Sequence, residues 1–420
     1  MHELVRGVRR LSGRYVPYLQ PYWDEDDILC VEERLESGEL EDARDKLVNC
    51  LRYRFPRSSS IVLTDTGKTA LYVALKALRV EHGKEVIIPS YCCASIIAAV
   101  VRAGCTPVLT DSDTYFNISL EAVVAALSPR TGAILVPHLF GLRAASLEAI
   151  VSLGRERGIP VIEDVAQAYG LRLSNGELAG NLGDASVFSA GVGKPIMGPG
   201  GGWAIINKAC SVQFSLAAES VAEERARVKD FLYRFSGPRP RRGRAEVMHA
   251  LIGRVMAQVQ RTTHFGIAGW AQKECRLRAI SSGDAWLAAR QIERFDGGLE
   301  RRRQNIYRWT NILTAAKIPC ETLPDQANTY SVWPLLFGKG GERRSIQVRQ
   351  IMERAGVATE PCYTPLHLRE HGRHFRRTEM KVIDSIWSAV FAVPVRPNLL
   401  PNDWQLIDQA VALAARSLAT

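Results

Sequence analysis

The sequence predicts an α/β protein: a mainly parallel mixed sheet flanked by helices in a large domain, followed by a smaller C-terminal α/β domain. Three observations predict it. Short apolar runs alternate with helical patterns from about residue 60 to residue 207. The runs are continuously apolar, as in strands that are buried on both faces of a sheet. This rhythm breaks over 208–280 and returns to mixed α and β patterns near the C-terminus.

The elements of the large domain follow from the spacing of the apolar residues. Residues 61–63 form the first predicted strand, and 69–79 the first helix, because Leu71, Ala74 and Leu78 share one helix face. The later strands are predicted at 86–89, 106–110, 133–137, 160–164, 185–189 and 202–206. The helices between them are predicted at 94–102, 120–127 and 146–157. Ligands bind beyond the carboxyl ends of such strands, so functional residues are expected directly after them.

The rest of the chain is predicted as a basic insertion and a second domain. A polar, Arg- and Pro-rich piece over 236–244 precedes an amphipathic helical pattern over 245–260. One long helix is predicted from Trp286 to Arg303, and strands at 331–336 and 391–394. We place the large domain at 1–275, with the basic insertion at about 208–275, and the small domain at 276–420.

Composition and charge exclude several classes of protein. With 46% hydrophobic and 23% charged residues, the chain is neither disordered nor a fibrous rod. The formal charge is +10, but residues 222–278 hold 13 Lys and Arg against 5 Asp and Glu, and the rest holds 41 against 39. This local excess predicts a site for an anionic partner. Nucleic acid is not expected, because no recognisable binding module surrounds the basic stretch.

The sequence favours a cytoplasmic protein. No apolar run approaches the roughly 20 residues of a membrane-spanning helix. The basic N-terminus has no apolar stretch behind it, so no secretory signal is expected. The nine cysteines are widely spaced and form no CxxC pair, which is typical of reduced thiols. We expect no metal site.

A first candidate site follows the first predicted strand. Thr66-Gly67-Lys68-Thr69 opens a helix there, and backbone N–H groups at a helix N-terminus bind phosphate well. The Gly-Lys-Thr triplet is also part of the nucleotide P-loop. That motif needs a further glycine where Val62 stands, so a plain phosphate cradle is the interpretation that stays open.

Three more features follow later strands. Asp164 ends a buried strand and is consistent with a functional carboxylate or with a helix N-cap. Lys194 stands among glycines, where desolvation can make its amine nucleophilic, although a solvated loop lysine is the alternative. The loop 198–202 allows close backbone approach or a tight turn. Together they match the needs of pyridoxal 5′-phosphate (PLP): a lysine, a carboxylate and a phosphate cradle.

Nine segments in a fixed order carry a resemblance to a known family. They are TDTGKTAL (64–71), IPSYCCAS (88–95), PHLFG (137–141), EDVAQAYG (163–170), NLGDASVFSAGVGKP (181–195), GPGGGWAIIN (198–207), ARQIERFDGGLERR (289–302), CYTPLHL (362–368) and FAVPVRPNL (391–399). In this order they resemble the motifs of the DegT/DnrJ/StrS sugar aminotransferases. That family has the aspartate-aminotransferase fold, fold type I of the PLP enzymes. The resemblance covers most of the chain, from about Val16 onward.

The resemblance implies roles for the residues at the matched positions. Lys194 would bind the PLP aldehyde and shuttle a proton, and Asp164 would pair with the pyridine nitrogen. Gln167 would lie beside the ring. Gly67, Lys68 and Ser189 would hold the phosphate. Relatives that are sugar dehydratases carry histidine in place of this lysine, so Lys194 favours transamination.

Two departures from the family pattern concern the ring and the substrate hairpin. The aromatic residue that usually covers the ring is replaced by Cys93, with Tyr91 two residues earlier; we favour Cys93 as the residue near the ring. The hairpin corresponds to 275–281, where the family's asparagine is missing. Arg276 or Arg278 would then contact the substrate phosphate, reaching into the partner subunit of a homodimer.

Two histidines lie in matched motifs. His138 and His367 are each consistent with a substrate contact or with a structural role, and we include His367 among the candidate substrate residues.

The resemblance thus implies a homodimeric PLP-dependent aminotransferase that moves an amino group from glutamate or glutamine to a phosphate-bearing keto-sugar, in amino-sugar or secondary-metabolite biosynthesis. A nucleotide-linked sugar is the expected form, since a diphosphate needs cations. One alternative is the same fold acting on a lipid-linked carbonyl, with residues 236–260 lying on an anionic membrane surface. Another is a PLP-binding regulator without catalysis.

Overall fold

A computed structural model describes residues 15–23, 25–208, 214–235, 267–323, 329 and 331–419. The predicted basic piece at 236–244 and the predicted amphipathic helix after it lie outside these residues. Within the described ranges, no helix is both long enough and apolar enough to cross a membrane.

The large domain is built on one mixed sheet. Its strands are β1 (Ser60–Thr64), β2 (Glu85–Pro89), β3 (Thr106–Thr110), β4 (Thr131–Pro137), β5 (Val161–Asp164), β6 (Ala185–Ser189) and β7 (Gly202–Ile206). Their order across the sheet is β1-β7-β6-β5-β4-β2-β3. Only β7, of these seven strands, runs antiparallel to its neighbours. The carboxyl ends of the other six therefore lie along one edge, and this confirms the predicted mainly parallel sheet.

Helices cover both faces of this sheet because successive strand residues point to opposite sides. The helices of this part of the chain are α1 (Glu25–Ser37), α2 (Ala43–Arg54), α3 (Gly67–Ala77), α4 (Ser95–Arg102), α5 (Leu120–Ala126), α6 (Leu147–Arg157), α7 (Val221–Phe235), α8 (Ile267–Glu274) and α9 (Ser282–Glu293). In β2, Val86 and Ile88 enter the core under α3 and α4. Ile87 enters the opposite core, under α2 and α9.

A second, antiparallel sheet forms the C-terminal part. Its strands are β8 (Glu321–Thr322), β9 (Trp333–Leu336), β10 (Glu360–Pro361) and β11 (Val390–Val393), in the order β10-β11-β9-β8. The helices here are α10 (Phe295–Ala315), α11 (Glu342–Arg354), α12 (Lys381–Ile386) and α13 (Pro401–Ala419). The domain boundary at 275/276 stays a prediction. We note that α9, just beyond it, packs against α2 of the large domain.

The single long helix predicted from Trp286 to Arg303 is wrong. The chain forms two helices, α9 and α10, separated by Arg294 with φ −105° and ψ 6°. Both flanking helices keep a buried face, so the apolar spacing continues across the break. A break of one residue hardly disturbs a periodic pattern, which is why the sequence did not reveal it.

Candidate active site

The edge formed by the carboxyl ends of β1, β5 and β6 carries a cleft of about 260 Å³. Asp164 is the last residue of β5 and Ser189 the last of β6, while α3 begins just after β1. These residues line the cleft together with Lys194 and Cys93. Parallel strands thus bring together side chains that are far apart in the sequence, as the pattern predicted.

The N-terminus of α3 forms one wall of this cleft. Thr66 is the N-cap and its Oγ1 accepts a hydrogen bond from the Thr69 N–H at 3.3 Å. Thr69 Oγ1 donates to Asp65 Oδ1 at 2.6 Å, which fixes the first turn. A Cβ on Gly67 would lie 2.9 Å from Ser189 Cβ, so only glycine allows helix and strand to approach this closely. Backbone N–H groups and a serine hydroxyl therefore meet at one end of the cleft, as a phosphate cradle requires.

The neighbouring carboxylates Glu163 and Asp164 have different environments. Glu163 is fully buried and accepts hydrogen bonds from the N–H groups of Gly180, Leu182 and Gly183 at 2.7–2.9 Å. Asp164 faces the cleft, and its Oδ1 accepts from the Ala166 N–H at 3.0 Å. Burial raises the pKa of Asp164, and the nearby Lys194 partly offsets this. Glu163 is thus structural, and Asp164 is the carboxylate available to a cationic ligand.

Lys194 lies in the loop after β6, and its side chain is half-buried. It follows Gly193, whose φ of +83° favours glycine, and its N–H bonds to the Gly191 carbonyl at 3.2 Å. In the part of the chain that the structure describes, its amine makes no hydrogen bond or ion pair. A lysine held in a cleft with an uncommitted amine is suited to covalent chemistry.

Gln167 is held by two strong contacts beside Asp164 and Lys194. Its Oε1 accepts from the Phe140 N–H and its Nε2 donates to the Tyr363 hydroxyl, both at 2.6 Å. Tyr363 lines the adjoining cleft with Cys93 and Lys194. Tyr363 was not among the site residues predicted from the sequence. The available signal was its position in the matched segment 362–368.

Cys93 lies at the junction of both clefts that contain Asp164 and Lys194. Its sulfur is 2.9 Å from the Ser95 hydroxyl. Tyr91 lines neither cleft; it is fully buried and packs against the rings of Phe116 and Tyr363, with centroids 4.7 and 5.9 Å away. Cys93 thus lines the clefts with Asp164 and Lys194, whereas Tyr91 does not, and the place of Cys93 near the ring stays a prediction.

The segment 275–281 borders a second, charged cleft of about 290 Å³. Arg276 and Arg278 line it, and Thr66 and Lys68 are shared with the first cleft. Lys68 pairs with Glu274 at 2.9 Å, so this predicted phosphate ligand has a carboxylate partner in the structure. Arg278 lies 3.9 and 3.8 Å from Glu219 and Glu223, distances that leave it weakly paired.

Of the two candidate histidines, His138 lines the adjoining cleft with Asp164 and Lys194, whereas His367 does not. The ring of His367 lies 2.6 Å from the Ser90 hydroxyl through Nδ1 and 2.9 Å from Asp384 through Nε2, and the residue lines none of the clefts described above. His138 accepts from the Ala144 N–H at Nδ1 and donates to Glu163 from Nε2 at 3.2 Å. Both rings are thus committed to protein partners, and the structure does not bring His367 to Lys194.

Comparisons with known proteins agree on one family. The sequence profile of the DegT/DnrJ/EryC1/StrS aminotransferase family matches residues 52–237 and 242–412. GDP-perosamine synthase of Caulobacter vibrioides is 26% identical over 84% of both chains. A UDP-N-acetyl-3-dehydro-α-D-glucosamine 3-aminotransferase of Acidithiobacillus ferrooxidans is 37% identical over 34% of this chain, a match that spans 38% of that relative's length.

A solved structure extends the likeness to the whole fold. PseC of Helicobacter pylori, an aminotransferase involved in the biosynthesis of pseudoaminic acid, superposes on 96% of this chain and on 100% of its own, with a TM-score of 0.72. Its sequence is 17% identical, so this likeness concerns the fold alone.

Proposed function

Since the chain belongs to the DegT/DnrJ/EryC1/StrS aminotransferase family and is a PLP-dependent aminotransferase of fold type I, we propose that it moves an amino group from glutamate or glutamine to a nucleotide-linked keto-sugar. One observation carries the proposal: the Lys194 amine, the Asp164 carboxylate and the Gly67–Ser189 junction line a single cleft. The product would be an amino-sugar.

The residues of this cleft fit PLP by their chemistry. The α3 N-terminus and Ser189 offer hydrogen-bond donors for a phosphate, at a junction that only glycine leaves open. Asp164 offers a carboxylate for a pyridinium nitrogen, and Lys194 an amine for an aldehyde. When bound, PLP supplies that aldehyde and an electron-withdrawing ring that stabilises negative charge on the substrate carbon.

Each residue then has a defined task. Asp164 would keep the ring nitrogen protonated, because a carboxylate beside that nitrogen stabilises its positive charge. Lys194 Nζ would accept the proton of the donor carbon and return it as general acid. Gln167, whose position the Phe140 N–H and the Tyr363 hydroxyl fix, would orient the ring. Cys93 would cover the ring and limit the access of water.

The acceptor is proposed from the charged cleft and from the relatives. The names of the two relatives above indicate that each acts on or makes a nucleotide-linked sugar. The charged cleft borders the first one through Thr66 and Lys68, and it contains Arg276 and Arg278. Guanidinium groups bind phosphate oxygens in pairs of hydrogen bonds. A diphosphate bound there would lie beside Thr66 and Lys68, at the edge of the first cleft.

A spectroscopic screen tests this function. Protein loaded with PLP is expected to show the visible absorption band of the lysine-bound cofactor, and Lys194→Ala is expected to lack it. Glutamate or glutamine should abolish the band, and a suitable keto acceptor, added after removal of the donor, should restore it. Arg303→Ala, an exposed change on α10, is the control. If simple ketones restore the band and no nucleotide-linked keto-sugar does, the proposed acceptor is wrong.

A further inference from the structure

We propose that Arg302, Tyr18 and Ser331 form a carboxylate-binding subsite beside Lys194 that holds the amino-acid donor. The three residues line a small cleft of about 30 Å³, which Lys194 also lines. This inference rests on the proposed function, since it concerns the donor of the same reaction.

The first observation is a buried guanidinium without an anion. Arg302 lies on α10 and is 8% exposed. Its Nη1 donates to the Thr329 carbonyl at 3.3 Å, whereas its buried Nε has no hydrogen-bond partner among the described residues. No carboxylate of the described residues lies within ion-pair distance of it. A buried charge is costly unless it is paired, so the position indicates a ligand that supplies the anion.

The second observation is a set of unpartnered hydroxyls around the same group. Tyr18, Thr329 and Ser331 each have a buried hydroxyl oxygen with no hydrogen-bond partner in the structure. Buried polar groups are nearly always hydrogen-bonded, so several together in one place require an explanation. Tyr18 and Ser331 line the cleft with Arg302. A bound carboxylate would satisfy the guanidinium and the hydroxyls at once.

A second arginine of the same cleft provides the contrast. Arg396 is also buried, but it donates to Asp403 at 2.9 Å and to the carbonyls of Pro17 and Asn398. Among the residues that the structure describes, one arginine of this cleft has a carboxylate partner and the other has none. Burial also lowers the pKa of Arg302 to about 10, and the side chain stays protonated at neutral pH.

The size of the cleft selects the ligand. With an accessible volume of about 30 Å³, it has room for a group of the size of a carboxylate and none for a nucleotide-linked sugar. Other clefts are lined by the hydrogen-bond donors at the α3 N-terminus and by Arg276 and Arg278. A planar guanidinium matches a carboxylate through two parallel hydrogen bonds. With its carboxylate at Arg302, an amino acid would have its amino group near Lys194.

Two measurements test the subsite on the PLP-loaded protein. The first is the reaction of L-glutamate alone, followed by the loss of the absorption band; it contains donor and no acceptor. Arg302→Gln is expected to raise the half-saturating glutamate concentration roughly 10- to 100-fold, the effect of losing a hydrogen bond to a charged group. The second is calorimetric binding of glutarate, which carries carboxylates but cannot react; its dissociation constant should rise by a similar factor.

Matched variants separate binding from folding. Arg303→Gln changes the same charge at an exposed position of α10 and is expected to leave both values unchanged. Tyr18→Phe removes only a hydroxyl, so we expect the half-saturating glutamate concentration and the glutarate dissociation constant to rise about 2- to 10-fold. Without ligand, Tyr18→Phe should not lower the melting midpoint, because it removes a hydroxyl that has no hydrogen-bond partner in the structure. Arg302→Gln also removes the hydrogen bond to the Thr329 carbonyl, so its melting midpoint should fall only slightly. If the Arg302→Gln protein no longer binds PLP, the glutamate saturation and glutarate binding of Tyr18→Phe test the subsite instead.

The outcomes distinguish this inference from the proposed function. Wild-type protein that loses its band with no amino donor contradicts the function itself. Wild-type protein that reacts with glutamate, while Arg302→Gln and Tyr18→Phe show unchanged glutamate saturation, overturns the subsite alone. Normal donor saturation combined with a defect for an acidic keto acceptor would also overturn it, since the carboxylate would then belong to the acceptor.

Discussion

At the scale of single residues, the Glu163-Asp164 pair shows how one strand separates two carboxylates. Successive residues of β5 point to opposite faces. Glu163 therefore enters the interior, where His138 and three backbone N–H groups hold it. Asp164, the next residue, lines the cleft instead. The sequence predicted a functional carboxylate in this motif, but the structural role of Glu163 depends on N–H groups about 20 residues away, which no local pattern reveals.

Glu163→Gln is expected to lower the free energy of unfolding at neutral pH by about 3–5 kcal/mol, because an amide group would face backbone donors in a buried site. Burial alone raises the pKa of Glu163, but hydrogen bonds from His138 and the backbone outweigh it, so the pKa lies below its ordinary 4.5. The carboxylate's contribution is therefore present above pH 4.5 and is lost as the pH falls through the lower native pKa. Urea unfolding at several pH values measures both effects.

The exposed Glu156→Gln serves as the control for this prediction. It should change the free energy of unfolding by about 0.5 kcal/mol at most. A Glu163→Gln protein as stable as this control at neutral pH would show that the buried carboxylate does not stabilise the fold.

At the scale of elements, the strands and the α3 helix agree with the sequence pattern, and their close packing does not follow from it. β3, β6 and β7 have the predicted bounds, since a continuous apolar run between polar residues defines a buried strand. The close approach of β7 to α3, in contrast, depends on a glycine at position 202. A Cβ on Gly202 would lie 2.5 Å from the Thr66 carbonyl carbon and 2.6 Å from the Gly67 nitrogen.

Gly202→Ala is expected to push β7 away from the α3 N-terminus and to open the phosphate cradle. The steric conflict involves backbone atoms, so it cannot be relieved by rotation of a side chain. We expect a loss of about 1–3 kcal/mol in the free energy of unfolding, the usual cost of overpacking. PLP should also dissociate faster. Urea unfolding and dialysis against PLP-free buffer measure the two effects.

Gly297→Ala, in the first turn of α10, is the matched control. A Cβ there meets nothing within 4 Å, and its backbone is helical. The change should leave PLP retention unaltered and raise stability by up to about 1 kcal/mol. If both alanine variants retain PLP equally, the contact between Gly202 and α3 is not needed for the cradle.

At the scale of the whole molecule, the open question is whether one chain or two chains build each active site. Within a single chain, the charged cleft already adjoins the first through Thr66 and Lys68. The family resemblance implies instead that Arg276 and Arg278 serve the partner subunit of a homodimer. These two arrangements predict different behaviour of mixed dimers.

Mixed dimers of Lys194→Ala with the double variant Arg276→Ala/Arg278→Ala are expected to regain activity. If the arginines act across the interface, the intact lysine of one chain meets the intact arginines of the other. Random pairing of co-expressed chains would then restore roughly a quarter of the wild-type activity. The acceptor found by the spectroscopic screen serves as substrate. Each variant expressed alone is the inactive reference, and no recovery in the mixture would show that each chain uses its own arginines.

The sequence by itself determined the fold class, the family and the residues at the strand ends. It could do so because buried strands have a recognisable composition and because the carboxyl ends of parallel strands share an edge; Lys194 and Asp164 meet for that reason. Only the tertiary structure decided that Cys93 lines the cleft while Tyr91 is buried, and that the ring of His367 is held by Ser90 and Asp384. Tyr18, Arg302 and Ser331 come together through packing between distant segments, which leaves no periodic signal in the sequence.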